Sequence, residues 1–136
     1  MSAKNLKPVR WQRWAAWGGV AGLFLSGVVL ALPARFDPEG LSPFWDGLKH
    51  QGSRLHGALA MAFLVVLGAL YAHVRDGLKA RRNTAWGLAL LACLGVLVLT
   101  GWCLYYLPLN GVAVVHLWVG VALPLLLFVH AAKGRR

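Results

Sequence analysis

The chain is poor in acid. Its 136 residues include four carboxylates, Asp37, Glu39, Asp46 and Asp76, and none lies inside an apolar run. A di-iron carboxylate centre draws its ligands from several inward-facing Glu side chains, so that class lacks ligands here. A proton pump or ion carrier built around an intramembrane carboxylate is excluded on the same ground. Methionine is almost as scarce, with only Met1 and Met61, which leaves a thioether-lined copper conduit without donors. The two cysteines, Cys93 and Cys103, share one apolar run. On a straight helix they stand about 15 Å apart along the axis, too far for a disulfide. There is no Cys-x-x-Cys-His, so covalent haem attachment is unsupported. Both cysteines read as small apolar packing residues.

Charge of either sign is thin. Charged residues make up 13% of the chain and hydrophobic ones 59%, against about a quarter charged and just under half apolar in a soluble domain. The apolar residues fall into four runs, about 14–32, 55–74, 84–107 and 112–132. Each is close to the roughly 20 residues that carry a helix across a hydrocarbon core. Backbone groups in lipid must bond internally, which makes helices the default. The expectation is an all-α, four-helix transmembrane bundle forming a single membrane domain over 1–136. The first run follows Lys4, Lys7, Arg10 and Arg13 as a signal peptide would. It is longer than a signal core of about 7–15 residues and reads as a retained helix.

The basic residues set the orientation. Lys4, Lys7, Arg10 and Arg13 precede the first run; Arg75, Lys79, Arg81 and Arg82 lie between the second and third; Lys133, Arg135 and Arg136 follow the fourth. The other side carries only Arg35, Lys49 and Arg54, among three of the carboxylates. This one-sided bias predicts that both termini are cytoplasmic. The net charge of +10 is then a topology signal and an attraction to anionic lipid, not a nucleic-acid surface. Trp11, Trp14 and Trp86 fall near the inner interface, and Trp102 and Trp118 near the outer one, as an aromatic belt requires. On the outer side, Pro33, Pro38, Pro43, Gly40 and Gly47 predict a loop over 33–53 without a long helix. Its Phe36, Phe44 and Trp45 suit contact with the helices or with a partner. Gly18, Gly19, Gly22 and Ser26 give the first run a small-residue face for close helix packing.

The histidines carry the most information. His56 and His73 lie toward opposite ends of the second run, and His116 and His130 toward opposite ends of the fourth. Both runs cross in the same direction, so His56 and His116 share the outer depth and His73 and His130 the inner one. At about 1.5 Å per residue the separations along the axes are about 26 Å and 21 Å, a difference that tilt absorbs. A haem iron takes two axial ligands from opposite sides, and imidazole is a common one. The pairs His56/His116 and His73/His130 therefore predict two non-covalent b-type haems. On the fourth run, His116, Gly120, Leu123, Leu127 and His130 form one stripe, with Gly120 leaving room for a flat macrocycle. His56 and His73 are about 100° out of phase on an ideal helix, so the two haems are met from different angles. His50 is open to three readings: a surface residue, a quinone or partner contact, or an alternative ligand.

These segments resemble the small bacterial di-haem membrane cytochromes of the cytochrome b561-like group, the flavinylation-associated cytochromes in particular. The residues that carry the resemblance are Leu55-His56-Gly57, His73, Arg82-Asn83-Thr84 with Gly87, Thr100-Gly101-Trp102-Cys103-Leu104-Tyr105-Tyr106, His116 with Gly120, and His130. They cover 54–132. The resemblance implies four helices around two haems and an electron-transfer subunit in a bacterial cytoplasmic membrane.

Two histidines on each iron leave no open position, which favours electron transfer over chemistry at iron. The expected function is to relay electrons between the membrane faces, or between quinone and a redox partner protein or complex. The chain is not expected to be a self-sufficient enzyme. Arg54 and Lys49 outside, and Arg75 and Arg82 inside, are candidates to pair with haem propionates. Tyr105, Tyr106 and Asn110 are candidate quinone contacts. The rival readings are a haem-free anchor subunit of a larger complex, a stand-alone quinone-linked oxidoreductase, and a small transporter, the last disfavoured by the missing carboxylates.

Overall fold

The computed structural model describes residues 8–81, 83–107 and 109–134. Of the residues singled out above, Lys4, Lys7, Arg82, Arg135 and Arg136 lie outside that set. The described residues are all helical or in turns, without strands. The elements are α1 (Arg10–Phe36), α2 (Pro43–Ala69), α3 (Tyr71–Lys79), α4 (Thr84–Tyr106) and α5 (Val112–Lys133). Four of these, α1, α2, α4 and α5, are long and apolar enough to cross a membrane, with mean hydropathies of 1.9, 1.4, 2.3 and 2.5. Few of their side chains are buried inside the protein, and the exposed residues include many Leu, Val, Phe and Trp. A surface of that kind is stable against acyl chains and not against water. The chain is a multi-pass membrane protein.

Two compact units divide the chain, Val9–Leu70 and the part from Tyr71 onward. In the first, α1 packs against α2. Gly19 makes the approach close: a Cβ there would overlap the Phe63 ring, whereas one at Gly22 would make ordinary contact with Leu59. Phe63 and Val20 are buried at this seam. A Cβ on Gly18 would meet nothing, so the packing face is Gly19, Gly22 and Ser26, shifted by one residue from the spacing that includes Gly18.

The outer loop is much shorter than the prolines suggest. It spans only 37–42, because α1 runs on to Phe36 and α2 starts at Pro43. Proline is well tolerated in the first turn of a helix, where its missing N–H has no partner to lose, so Pro43 starts α2 instead of delaying it. Asp46 in that first turn complements the helix dipole. The Asp37 carboxylate closes the turn by accepting from the backbone N–H groups of Leu41 and Ser42 at 3.1 and 3.0 Å. Gly40 supplies the left-handed residue, at φ 68°. Phe36 stacks on Trp45 at 5.6 Å, with Phe44 edge-on to the same indole. His50, expected in a loop, is an exposed residue of α2.

The second apolar run is not one helix. It is interrupted at Leu70, between α2 and α3. Gln12 of α1 meets this break: its Nε2 donates to Ala69 O at 2.7 Å, while its Oε1 accepts from Val9 N–H at 3.0 Å. The ideal-helix phase relation between His56 and His73 does not carry across the interruption. In the second unit, α4 packs on α5 and α3 touches α4. Asn83, at φ 53°, precedes α4, and Gly111, at φ 83°, precedes α5. Leu94, Leu123 and Cys93 are buried there, and the Cys93 thiol donates to Val119 O at 3.6 Å.

Candidate functional site

The four histidines read as ligands are all half-buried, while His50 is exposed. In the second unit, the fold brings His73 of α3 and His130 of α5 together. Their ring centres are 6.5 Å apart and the planes stand at 83°. Two imidazoles on opposite sides of one metal ion have ring centres about 6.3 Å apart, given metal–nitrogen bonds of about 2.0 Å. The observed separation is of that size, with the rings in an edge-type setting. His56 belongs to the first unit and His116 to the second.

Three of the four histidines have the same kind of neighbour on the adjoining helix. Nδ1 of His56 lies 2.8 Å from the Ser26 hydroxyl, and a Cβ on the next residue, Gly27, would sit 3.6 Å from the ring's Cε1. Nδ1 of His116 lies 2.7 Å from the Thr100 hydroxyl, and a Cβ on Gly101 would sit 3.4 Å from Cε1. Nδ1 of His130 lies 3.3 Å from Asn83 Nδ2, with Gly87 in the equivalent place, also at 3.4 Å. In each case a polar group engages one ring nitrogen and a glycine lets the ring lie against the neighbouring backbone. Gly120, expected to make that room, faces Leu97 instead, at an ordinary 3.8 Å.

The Ser26 hydroxyl reaches Leu23 O at 3.1 Å, and the Thr100 hydroxyl reaches Val96 O at 2.7 Å. A hydroxyl has one proton, so it gives it either to that carbonyl or to Nδ1 of the ring. In the first case His56 and His116 donate from Nδ1 and keep the ring lone pair on Nε2. That is the tautomer in which histidine ligates through Nε2 while its other nitrogen is held by an acceptor. Asn83 differs. Its Nδ2 donates to His130 O at 2.9 Å and also faces the ring, so Nδ1 of His130 accepts.

No family model matches the chain. No curated protein and no solved structure matches it either. The donor set itself must carry the argument. Among the described residues no three His, Cys, Asp or Glu side chains gather as a metal site would need, which disfavours a structural zinc centre with its four ligands. Bis-imidazole ligation of haem needs only two ligands. His73 and His130 are two imidazoles with ring centres 6.5 Å apart.

The charged candidates divide. Lys49 and Arg54 are exposed on α2. Arg75 is engaged by its neighbour Asp76, at 3.1 Å. Tyr105 and Tyr106 are exposed at the end of α4 and touch each other at 5.4 Å, with Trp102 against Tyr106 at the same distance. Asn110 is exposed as well. Trp11, Trp14, Trp102 and Trp118 project from the helix surfaces, and Lys133 lies over the Trp86 ring at 4.6 Å. The sequence reading missed Ser26 as a ring partner, Thr100 and Asn83 as its equivalents, and Gln12. Thr100-Gly101 and Asn83 with Gly87 were visible only as fragments of a resemblance. The signal that would have found Ser26 is a hydroxyl followed by glycine, which recurs at Thr100-Gly101.

Proposed function

We propose that this chain is an electron-transfer subunit of a bacterial cytoplasmic membrane that holds two b-type haems, one between His56 and His116 and one between His73 and His130. The observation that carries the reading is the 6.5 Å spacing of the His73 and His130 rings, close to what two imidazoles holding one iron would have. The outer pairing rests on matched depth in the sequence and on the hydroxyl beside Nδ1 of each ring. The resemblance to the di-haem membrane cytochromes points the same way. When bound, such a haem supplies reversible one-electron oxidation and reduction.

The chain's own residues do the rest. His56, His73, His116 and His130 would hold the two haems, two histidines to each. Gly27, Gly87 and Gly101 let the ligand rings lie against the neighbouring helix. The apolar surfaces of α1, α2, α4 and α5 seat the protein in lipid, with the basic segments 75–82 and 133–136 and both termini on the cytoplasmic side. Lys49 and Arg54 would pair with haem propionates at the outer face. The donor and acceptor are a quinone, a redox partner protein, or a complex that this chain serves.

A reduced-minus-oxidised visible spectrum with a pyridine haemochrome assay tests the reading. The expected result is a b-type spectrum and two haems per chain. A well-folded preparation with no haem would overturn it and favour a cofactor-free anchor subunit.

A further inference from the structure

Ser26 and Thr100 stand in different units of the chain, yet each makes the same set of contacts. Each hydroxyl sits one residue before a glycine that faces the same histidine ring. Each reaches a backbone carbonyl of its own helix. Each lies within 2.8 Å of a histidine Nδ1 on the next long helix. The sequence separations differ, 30 residues for Ser26 and His56 and 16 for Thr100 and His116. What the two share along the chain is the hydroxyl–glycine pair; the histidine comes from a different distance each time.

A hydroxyl inside a long apolar helix has a ready partner in the carbonyl one turn back. That bond alone satisfies its proton and leaves its lone pairs in a medium without water. A donor from another helix can use them, and in each unit an imidazole Nδ1 is in reach. While the carbonyl holds the hydroxyl proton, the hydroxyl accepts, and the imidazole that meets it carries its proton on Nδ1.

We propose that Ser26 and Thr100 are a matched pair of positioning residues, which lock His56 and His116 in the Nδ1–H form so that Nε2 of each ligates iron. The proposal rests on the haem reading above and deepens it. Each hydroxyl fixes the ring's rotation as well as its proton. An accepted Nδ1–H bond also makes the imidazole a stronger electron donor to the metal, which stabilises the ferric form and lowers the midpoint potential.

The test uses the full-length protein in detergent, with Ser26→Ala, Thr100→Ala and the hydroxyl-keeping exchanges Ser26→Thr and Thr100→Ser. Haem retention is followed by transfer to excess apomyoglobin, and the midpoint potentials by redox titration. Each alanine variant is expected to release one haem about 10- to 100-fold more readily and to raise that haem's potential. The hydroxyl-keeping exchanges are expected to behave as the wild type does. Alanine variants with unchanged retention and potentials would overturn the proposal while leaving the haem reading intact. Equal loss in the hydroxyl-keeping variants would also overturn it, because packing would then be the cause. Absence of haem from the unsubstituted protein is a separate result, seen before any substitution is made, and it overturns the function on which the proposal depends.

Discussion

The ring centres of His73 and His130 lie 6.5 Å apart, with the planes at 83°, across the α3 and α5 segments of one unit. If the two residues share an iron, removing either one has the same consequence. His73→Ala and His130→Ala are each expected to halve the haem content and to delete the same potential from a redox titration. His56→Ala and His116→Ala should delete the other. Ser26→Ala and Thr100→Ala, acting from separate units, should both shift that second potential. A pattern in which His73→Ala and His116→Ala remove the same haem would reverse the pairing.

Gly19 and Phe63 define the closest approach of α1 to α2. A side chain at Gly19 would overlap the Phe63 ring, which is only 6% exposed. Gly19→Val should therefore destabilise this unit by about 1–3 kcal/mol, the usual cost of overpacking. Gly22→Ala is the control, since its Cβ makes ordinary contact with Leu59. Thermal unfolding in detergent measures both. Combining Gly19→Val with Phe63→Leu should recover part of the loss; no recovery would show that the overlap is not the cause.

The four long helices were legible because lipid imposes a simple rule, about 20 apolar residues between polar flanks. The ends of α4 and α5 came out within a residue of expectation for that reason. The outer loop did not, because a proline ends a helix in one setting and begins it in another. Pro33 lies inside α1 and Pro43 opens α2, and composition alone does not separate the two roles. The interruption at Leu70 was hidden by an unbroken apolar run. His130 and His73 were recognisable as a pair from depth. Ser26 was not recognisable as the partner of His56, since a hydroxyl facing a helix 30 residues away leaves no trace in local periodicity. Gln12 is in the same position, 57 residues from the carbonyl that it satisfies.

That carbonyl supplies a further expectation. Ala69 is the last residue of α2, and Gln12 Nε2 bonds its oxygen at 2.7 Å. Gln12→Ala removes this donor from the helix break, at a cost of about 0.5–1.5 kcal/mol, the net worth of a typical hydrogen bond. Hydrogen–deuterium exchange should speed up around Leu70 in the variant and stay unchanged in α4. Uniform exchange across both would show that the clip has no local effect.

The basic segments predict that the turn near Arg81 and the chain end are cytoplasmic, while the short 37–42 turn and the link from α4 to α5 face outward. Alkaline phosphatase fused after Arg136 should be inactive and a fluorescent protein fused there should be bright. Phosphatase inserted at Gly40, whose φ of 68° marks an exposed turn tip, should be active. Activities reversed at both sites would invert the topology and exchange the inner and outer haems.

Asn83 would set the proposed His73/His130 site apart from the His56/His116 one. Its Nδ2 is 2.9 Å from His130 O and 3.3 Å from His130 Nδ1. The carbonyl only accepts, so the amide nitrogen must face it, and the second amide proton then points toward Nδ1. This places the ring proton of His130 on Nε2, the reverse of the form proposed for His56 and His116. Ligation through Nε2 requires that proton to move to Nδ1 and the amide to turn its oxygen toward the ring. The haem proposed between His73 and His130 is therefore expected to leave first when haem is drawn off by apomyoglobin, and to have the higher potential. Asn83→Asp replaces the donor with an acceptor and keeps a residue that tolerates the left-handed backbone at φ 53°. The carbonyl of His130 is not abandoned, because Gly134 N–H also donates to it at 3.0 Å. The aspartate variant should hold the inner haem more tightly and lower its midpoint potential, with the outer haem unaffected. If the outer haem is lost first from the unsubstituted protein, or if Asn83→Asp leaves both potentials where they were, the amide does not control the inner ligand.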